Sequence, residues 1–202
     1  DIDEASSLGV QHISAYSLMY EEGTPLFRLL NEKKIKEINE ETSLKMYEML
    51  IESLTSNGFE HYEISNFALP GYRSKHNSSY WKQIPYLGIG ASAHSYNIVS
   101  RQWNIADVKD YIRFVNSSSH EYIEETEHLT DTERYNDIIT TTLRTSDGID
   151  TRTLPQRHRD FILKASQKHI ALGNLSLDNG IIRLTRQGLF ISDSIMVDLI
   201  EE

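Results

Sequence analysis

Two β-prone runs, HISAYSL at 12–18 and FEHYEIS at 59–65, stand on either side of one long amphipathic segment, and that order narrows the possible folds sharply. From Glu40 to Asn57 the apolar residues Leu44, Tyr47, Leu50, Ile51 and Leu54 recur at three- and four-residue spacing. Glu40 and Glu41 fall at the positive end of that helix, and Gly58 follows its last turn. Before it, EEGTPL at 21–26 supplies a turn, with Thr24 placed to cap a short helix whose first residue is Pro25. Strand, helix and strand in about fifty residues predict a βαβ crossover, hence a parallel sheet. In the first strand Ile13, Ala15 and Ser17 share a face. A third short strand, YLGIGA at 86–91, is expected after the loop 67–75 and a helical turn over 77–82. Three parallel strands do not close a barrel, but they can complete one whose other strands lie elsewhere.

After Trp103 the pattern changes. A helix is expected over 107–115 and is broken by SSSH at 117–120. A second runs from 131 to 144 with Tyr135, Ile138, Ile139 and Leu143 on one stripe, and TSDGID stops it. A third covers 158–172. In NLSLDNGIIRLT, Leu175 and Leu177 face Ile182 and Leu184 across Asn179-Gly180, the signature of a type I′ hairpin. Thr185 can cap a final helix carrying Leu189, Ile195, Met196 and Leu199. Helix, helix, hairpin, helix is similar to a winged-helix unit. The expected division is 1–104, with an α/β barrel-like character, and 105–202, a small α+β winged-helix-like domain.

The 202 residues include no cysteine, which excludes disulfides, thiolate zinc sites and any cysteine-held iron-sulfur cluster within them. A net charge of −10 argues against non-specific attraction to nucleic acid or to an anionic membrane face. No apolar stretch approaches the ~20 residues that span a bilayer, and no basic-then-apolar leader opens the sequence, so a cytoplasmic location is expected. The opening DIDEASSLGV lacks an initiator Met and reads as the end of a helix running into a strand, as expected of a fragment. Residues 151–186 form a local exception to the acidic balance, with Arg152, Arg157, Arg159, Lys164, Lys168, Arg183 and Arg186 against Asp160 and Asp178. A nucleic-acid or protein interaction module is the alternative that this stretch raises.

Several residues suit a binding pocket, and each also has a plain packing role. Gly88 and Gly90 flank Ile89 before Ala91, where a missing β-carbon admits either a flat ligand or another piece of backbone. Ligands of parallel sheets bind at carboxyl ends of strands, which places Gly88 to Ala91 there, with Tyr16 and Ser17 on the same rim. Asn66 lies just beyond the second strand. Glu63 within it either points outward or holds a specific partner, because a buried carboxylate is expensive alone. His76, Asn77, Tyr80 and Trp81 combine stacking surface with donors and acceptors, suited to a planar ligand with a polar edge or to packing under a loop. The eight histidines show no zinc spacing; were a heme iron to take one, His76 or His94 would be the candidates by location.

HISAYSLMYEEGTPL, YEISNFALPGYRSKHNSSYW, YLGIGASAHS and LRTSDGID with IIRLTRQGLFISDSIMVDLI together resemble the C-terminal half of the radical-SAM family that contains oxygen-independent coproporphyrinogen III oxidase, and most closely its HemW-like heme-chaperone branch. The resemblance spans nearly the whole chain. It implies the C-terminal part of a partial (β/α) barrel and a separate C-terminal domain. The intact protein is then expected to bind a [4Fe-4S] cluster, S-adenosylmethionine and heme. Tyr16, Ser17 and Gly88 to Ala91 correspond to the S-adenosylmethionine side. Glu63, Asn66, His76, Asn77, Tyr80, Trp81 and His94 correspond to the cofactor or tetrapyrrole pocket. An oxidase of coproporphyrinogen in porphyrin biosynthesis is the alternative activity, and an apo-hemoprotein the implied recipient for a chaperone. The cluster's cysteine loop is absent from this sequence, so these residues alone are expected to be catalytically silent.

Overall fold

The helix expected between the two β-prone runs forms as its sequence dictates. In the computed structural model, which describes residues 1–117 and 121–202, α1 (Ile2–Ser7) and β1 (His12–Ser14) open the chain. Next, α2 (Pro25–Asn31) starts at Thr24, whose hydroxyl accepts from the Phe27 amide at 3.2 Å with Pro25 in first place. The long α3 (Glu40–Ser56) starts at Asn39, whose side chain accepts from the Thr42 amide at 2.8 Å. It runs into β2 (Glu60–Glu63) and β3 (Asn66–Ala68). These elements belong to the first of two compact units, Asp1–Ser74. Its core is Ile51 and Leu54 of α3 with Phe59 and Phe67, and Ile2, Ile13, Tyr47, Leu50 and Leu69 pack against it.

The strand order is β1-β3-β2, with β3 antiparallel to both neighbours. Thus β1 and β2 run in the same direction, as strands joined through a helix should, yet they are not adjacent. The expected parallel pairing is therefore corrected. FEHYEIS, read as one strand, turns back at 64–65, and the returning β3 occupies the place between β1 and β2. The first strand is also shorter than expected: Ala15 donates to the Ser65 carbonyl at 2.8 Å, after which Tyr16 and Ser17 leave the sheet in irregular backbone.

The second unit, Lys75–Glu202, begins with α4 (Lys75–Trp81), β4 (His94–Tyr96), β5 (Ser100–Asn104), α5 (Val108–Asn116) and β6 (Ile123–His128). The three strands form an antiparallel sheet in chain order. The third parallel strand expected at 86–91 does not form. Only Tyr86 pairs, in an isolated antiparallel bridge with Tyr96. Two glycines explain this: the backbone of Ala93 and His94 lies against Gly88, and Gly90 takes φ +121°, outside the strand region. The helix break expected at 117–120 lies, beyond Ser117, outside the described residues.

The rest of this unit is α6 (Asp131–Thr142), β7 (Ile149–Asp150), a 3₁₀ turn (Thr151–Thr153), α7 (Gln156–Ala165), α8 (Gln167–Ala171), β8 (Leu175–Asp178), β9 (Ile181–Leu184), α9 (Arg186–Leu189) and α10 (Ser192–Leu199). Thr130 and Glu133 make a complete capping box at the start of α6. The hairpin has the expected register, Leu175 opposite Leu184 and Leu177 opposite Ile182, and Asn179 and Gly180 both have positive φ as a type I′ turn requires. β9 lies between β8 and β7 in a small antiparallel sheet. Tyr135, Ile139 and Leu143 are buried with Ile162, Ile182, Ile195 and Leu199.

Candidate functional site

In the Asp1–Ser74 unit the carboxylate of Glu63 is buried and partnered. It accepts from the Ser65 amide at 3.0 Å and from the Asn66 side-chain amide, while the Ser14 hydroxyl donates to Asn66 Oδ1 at 2.6 Å. The hairpin turn thus answers the need of a charge inside a strand, and the same network ties β3 to β1. Beside it, the His12 ring meets the Tyr62 hydroxyl at 2.7 Å, and burial lowers the pKa of His12. His61 stacks on Phe67 with ring centroids 4.4 Å apart. Tyr16 is 71% exposed, and Ser17 beside it is exposed.

In the Lys75–Glu202 unit, HNSSYW is helical. α4 places His76 and Tyr80 one turn apart, their Nε2 and hydroxyl sharing a hydrogen bond at 3.3 Å. An aromatic ladder continues inward. His76 meets Tyr80 edge-on at 5.0 Å, Tyr80 meets Tyr86 at 4.9 Å, and Tyr86 contacts the buried Tyr96 at 6.0 Å. Burial raises the pKa of both Tyr86 and Tyr96, which keeps the two inner rings as neutral phenols. Asn77 and Trp81 are half-buried, whereas His76 and Tyr80 are exposed. His94, exposed at the head of β4, lies with its ring 5.6 Å from Trp103.

The 88–91 loop is fixed from below. The Gly88 amide donates to Ser95 Oγ at 2.9 Å, the Gly90 amide to the Tyr111 hydroxyl at 3.0 Å, and Asn104 Nδ2 to the Gly90 carbonyl at 2.8 Å. On this pinned backbone Leu87 is 74% and Ile89 84% exposed. A β-carbon on Gly88 would stand 2.2 Å from the His94 carbonyl oxygen, whereas one on Gly90 would meet nothing within 4 Å. Gly88 therefore answers a close backbone approach, and only Gly90 leaves an open face.

The supports that the sequence did not reveal are Ser14 in the Asp1–Ser74 unit and, in the Lys75–Glu202 unit, Gln83, Tyr86, Ser95, Tyr96, Asn104 and Tyr111. Most make single hydrogen bonds from elements that carry no periodic signal. Gln83 carries no sequence cue; its φ of +54° just past a helix end is a property of the fold.

Arg152, Arg157, Arg159, Lys168 and Arg183 of the basic stretch 151–186 are engaged by groups of the same unit. Arg152 forms a two-pronged pair with Asp150, Arg157 contacts Glu201, and Lys168 and His169 both reach Asp198. Arg159 donates to the carbonyls of Thr151, Arg152 and Leu154, and Arg183 to that of Ser146. The acids that answer these cations lie outside the stretch counted in the sequence. Their pairing has a pH signature. Hydrogen bonds from Arg152 hold the Asp150 carboxyl down at about 2, and Arg157 and His169 lower those of Glu201 and Asp198. A carboxylate more acidic folded than unfolded stabilises the fold above its unfolded pKa, and that contribution is lost as pH falls through the folded value. The melting temperature is therefore expected to decline from about pH 4 toward pH 2. Asp150→Asn should flatten part of that decline in thermal scans; an unchanged acid limb would count against the pairing.

The described residues contain no helix long and apolar enough to cross a membrane and no cluster of three metal-ligating side chains. Residues 129–191 match the model of the HemN C-terminal domain. The chain is 30% identical over 198 residues to the heme chaperone HemW of Bacillus subtilis, an alignment covering 96% of this chain and 52% of that protein. It is 28% identical over 206 residues to the mouse (Mus musculus) radical S-adenosyl methionine domain-containing protein 1, mitochondrial, covering 95% of this chain and 46% of that one. The chain thus spans about half the length of these relatives. Among solved structures, the fold is similar to that of the Escherichia coli radical-SAM enzyme coproporphyrinogen III oxidase, HemN, with TM-score 0.68 and 16% identity over 98% of this chain and 50% of that one.

Proposed function

This chain is HemW/HemN-like, with a HemN C-terminal domain at residues 129–191, and we propose that it serves as the heme-handling part of a radical-SAM-type heme chaperone acting in the cytoplasm. In this reading residues 1–104 belong to the later part of a (β/α) barrel and 105–202 form its winged-helix-like companion. Heme is the cargo, handed to an apo-hemoprotein. The observation that carries the reading is the surface of α4 and the loop after it. His76 is exposed on a helix beside Tyr80 and Tyr86, and Ile84, Leu87 and Ile89 expose apolar side chains along the same stretch. An imidazole next to aromatic and aliphatic surface matches a flat apolar ring with a metal centre and polar edges.

Within the Lys75–Glu202 unit, Gly90 and Ala91 are the residues proposed to meet S-adenosylmethionine. The open face at Gly90 fits a close-packed ligand; the site of Gly88 does not, because backbone already fills it. The thiolates of a [4Fe-4S] cluster cannot come from these 202 residues, none of which is cysteine. The chaperone reading is preferred to the oxidase reading because a relative that is 30% identical over 96% of this chain is a heme chaperone, whereas the oxidase shares 16% identity with it. A nucleic-acid module is disfavoured by the net charge of −10 and by the pairing of Arg152, Arg157 and Lys168 with acidic side chains.

The test is a hemin titration followed at the Soret band. Saturable binding is expected, weakened about tenfold by His76→Ala, equivalent to ~1.4 kcal/mol, with duplex DNA not bound at ~0.15 M salt. Hemin binding indifferent to both His76→Ala and His94→Ala would sink the assignment.

A further inference from the structure

Gln83 holds an unusual position. It follows α4 by two residues, adopts φ +54°, and uses both ends of its side-chain amide. Its Nε2 donates to Thr141 Oγ1 of α6 at 2.9 Å, and its Oε1 accepts from the hydroxyl of buried Tyr96. A left-handed non-glycine residue is strained and persists only where its surroundings over-determine it. Here they do. Thr141 Oγ1 in turn donates to the Asp137 carbonyl at 2.6 Å, so the direction of each bond along the relay is fixed. Asp137 also pairs with Arg101 of β5. One residue further along α6, the Thr142 hydroxyl donates to the carbonyl of Trp81, the last residue of α4, at 3.0 Å. That carbonyl is among those a helix end leaves without an internal partner.

We infer that Thr141 and Thr142, on the helix that opens the HemN C-terminal domain match, are positioning residues for the HNSSYW helix: through Gln83 and Trp81 they set where α4 presents His76. The same Gln83 amide that reaches Thr141 orients Tyr96, and Tyr96 backs the ring ladder Tyr86, Tyr80, His76. A displacement of α6 is therefore transmitted to the imidazole by two routes, one through the helix end and one through stacked rings. The consequence for cargo rests on the heme-handling reading above; the mechanical link does not.

The experiment separates the two. Thr141→Val/Thr142→Val keeps the shape and removes both hydroxyls; Thr141→Ser/Thr142→Ser restores them. In the whole chain, amide hydrogen exchange over 75–84 is expected to rise at least fivefold in the valine pair and to return near the parent value in the serine pair. Hemin affinity is expected to fall by about three- to tenfold in the first and to recover in the second. Unchanged exchange in the valine pair, or a loss in the serine pair as large as in the valine pair, would overturn the positioning role. Faster exchange with hemin binding indifferent to His76→Ala would retain the link between α6 and α4 and remove the heme reading alone. Faster exchange with intact His76-dependent affinity would show that α6 steadies the helix without setting the ligand, and would overturn the inference as stated.

Discussion

Phe67→Ala is expected to cost the Asp1–Ser74 unit about 3–5 kcal/mol, enough to unfold it while the Lys75–Glu202 unit stays intact. Phe67 is fully buried at the centre of β3, between β1 and β2, where it stacks on His61 and shares the core cluster with Ile51, Leu54 and Phe59. Ile2, Ile13, Tyr47, Leu50 and Leu69 pack against that cluster, and how far they can collapse into the cavity sets where in this range the cost falls. Amide exchange resolved by segment measures the effect: protection in 40–68 should vanish while that of 131–143 persists. A loss below ~1 kcal/mol would mean that the core has been misplaced.

Gly88→Ala should be nearly as severe for the second unit, about 3 kcal/mol, because the new β-carbon would collide with the carbonyl carbon and oxygen of His94, which are backbone atoms and cannot rotate away. Relief requires the 86–91 loop to leave β4, breaking the Gly88 bond to Ser95 and exposing the Tyr86–Tyr96 pair. Gly90→Ala makes the informative comparison. Its β-carbon meets open space, so only the strained φ is penalised, by about 1–2 kcal/mol. Denaturation followed by tryptophan fluorescence, with Trp103 opposite His94, reads both variants. Equal losses would show that backbone strain, and not the collision, governs this loop.

These two sites also mark where sequence was and was not sufficient. Helices with caps and stripes were legible: Thr24, Asn179-Gly180, Thr185 and the Tyr135, Ile139, Leu143 stripe each act locally, and each behaves as its neighbours in sequence require. Strand pairing was not, because which strand fills a sheet position is decided by residues far apart. FEHYEIS carries no glycine or proline at 64–65, yet the chain reverses there, held by Glu63, Ser65 and Asn66 side-chain bonds that only folding assembles. The sheet of β4, β5 and β6 was missed for a related reason. SRQWN and IEETEH are polar, and their burial is partial, so alternation is faint. At the candidate site, composition pointed to His76 and Tyr80 correctly as neighbours, whereas Gln83, Tyr96 and Thr141 gave no sign of themselves. Their contribution is a relay across about sixty residues of sequence, invisible to any local pattern.

The placement of β3 between β1 and β2 has an entropic corollary. Returning β3 onto β2 closes a hairpin of two residues, while bringing Ser14 against Asn66 closes a span of roughly fifty, at a chain-configurational penalty greater by about 3 kcal/mol. Three residues of ladder recover little of that. The outer strand is therefore retained by the packing of Ile13 on the core together with its lateral clasps, the Ser14 hydroxyl on Asn66 and the His12 ring on Tyr62, so that a fold held by connectivity on one flank is held by side-chain contacts on the other.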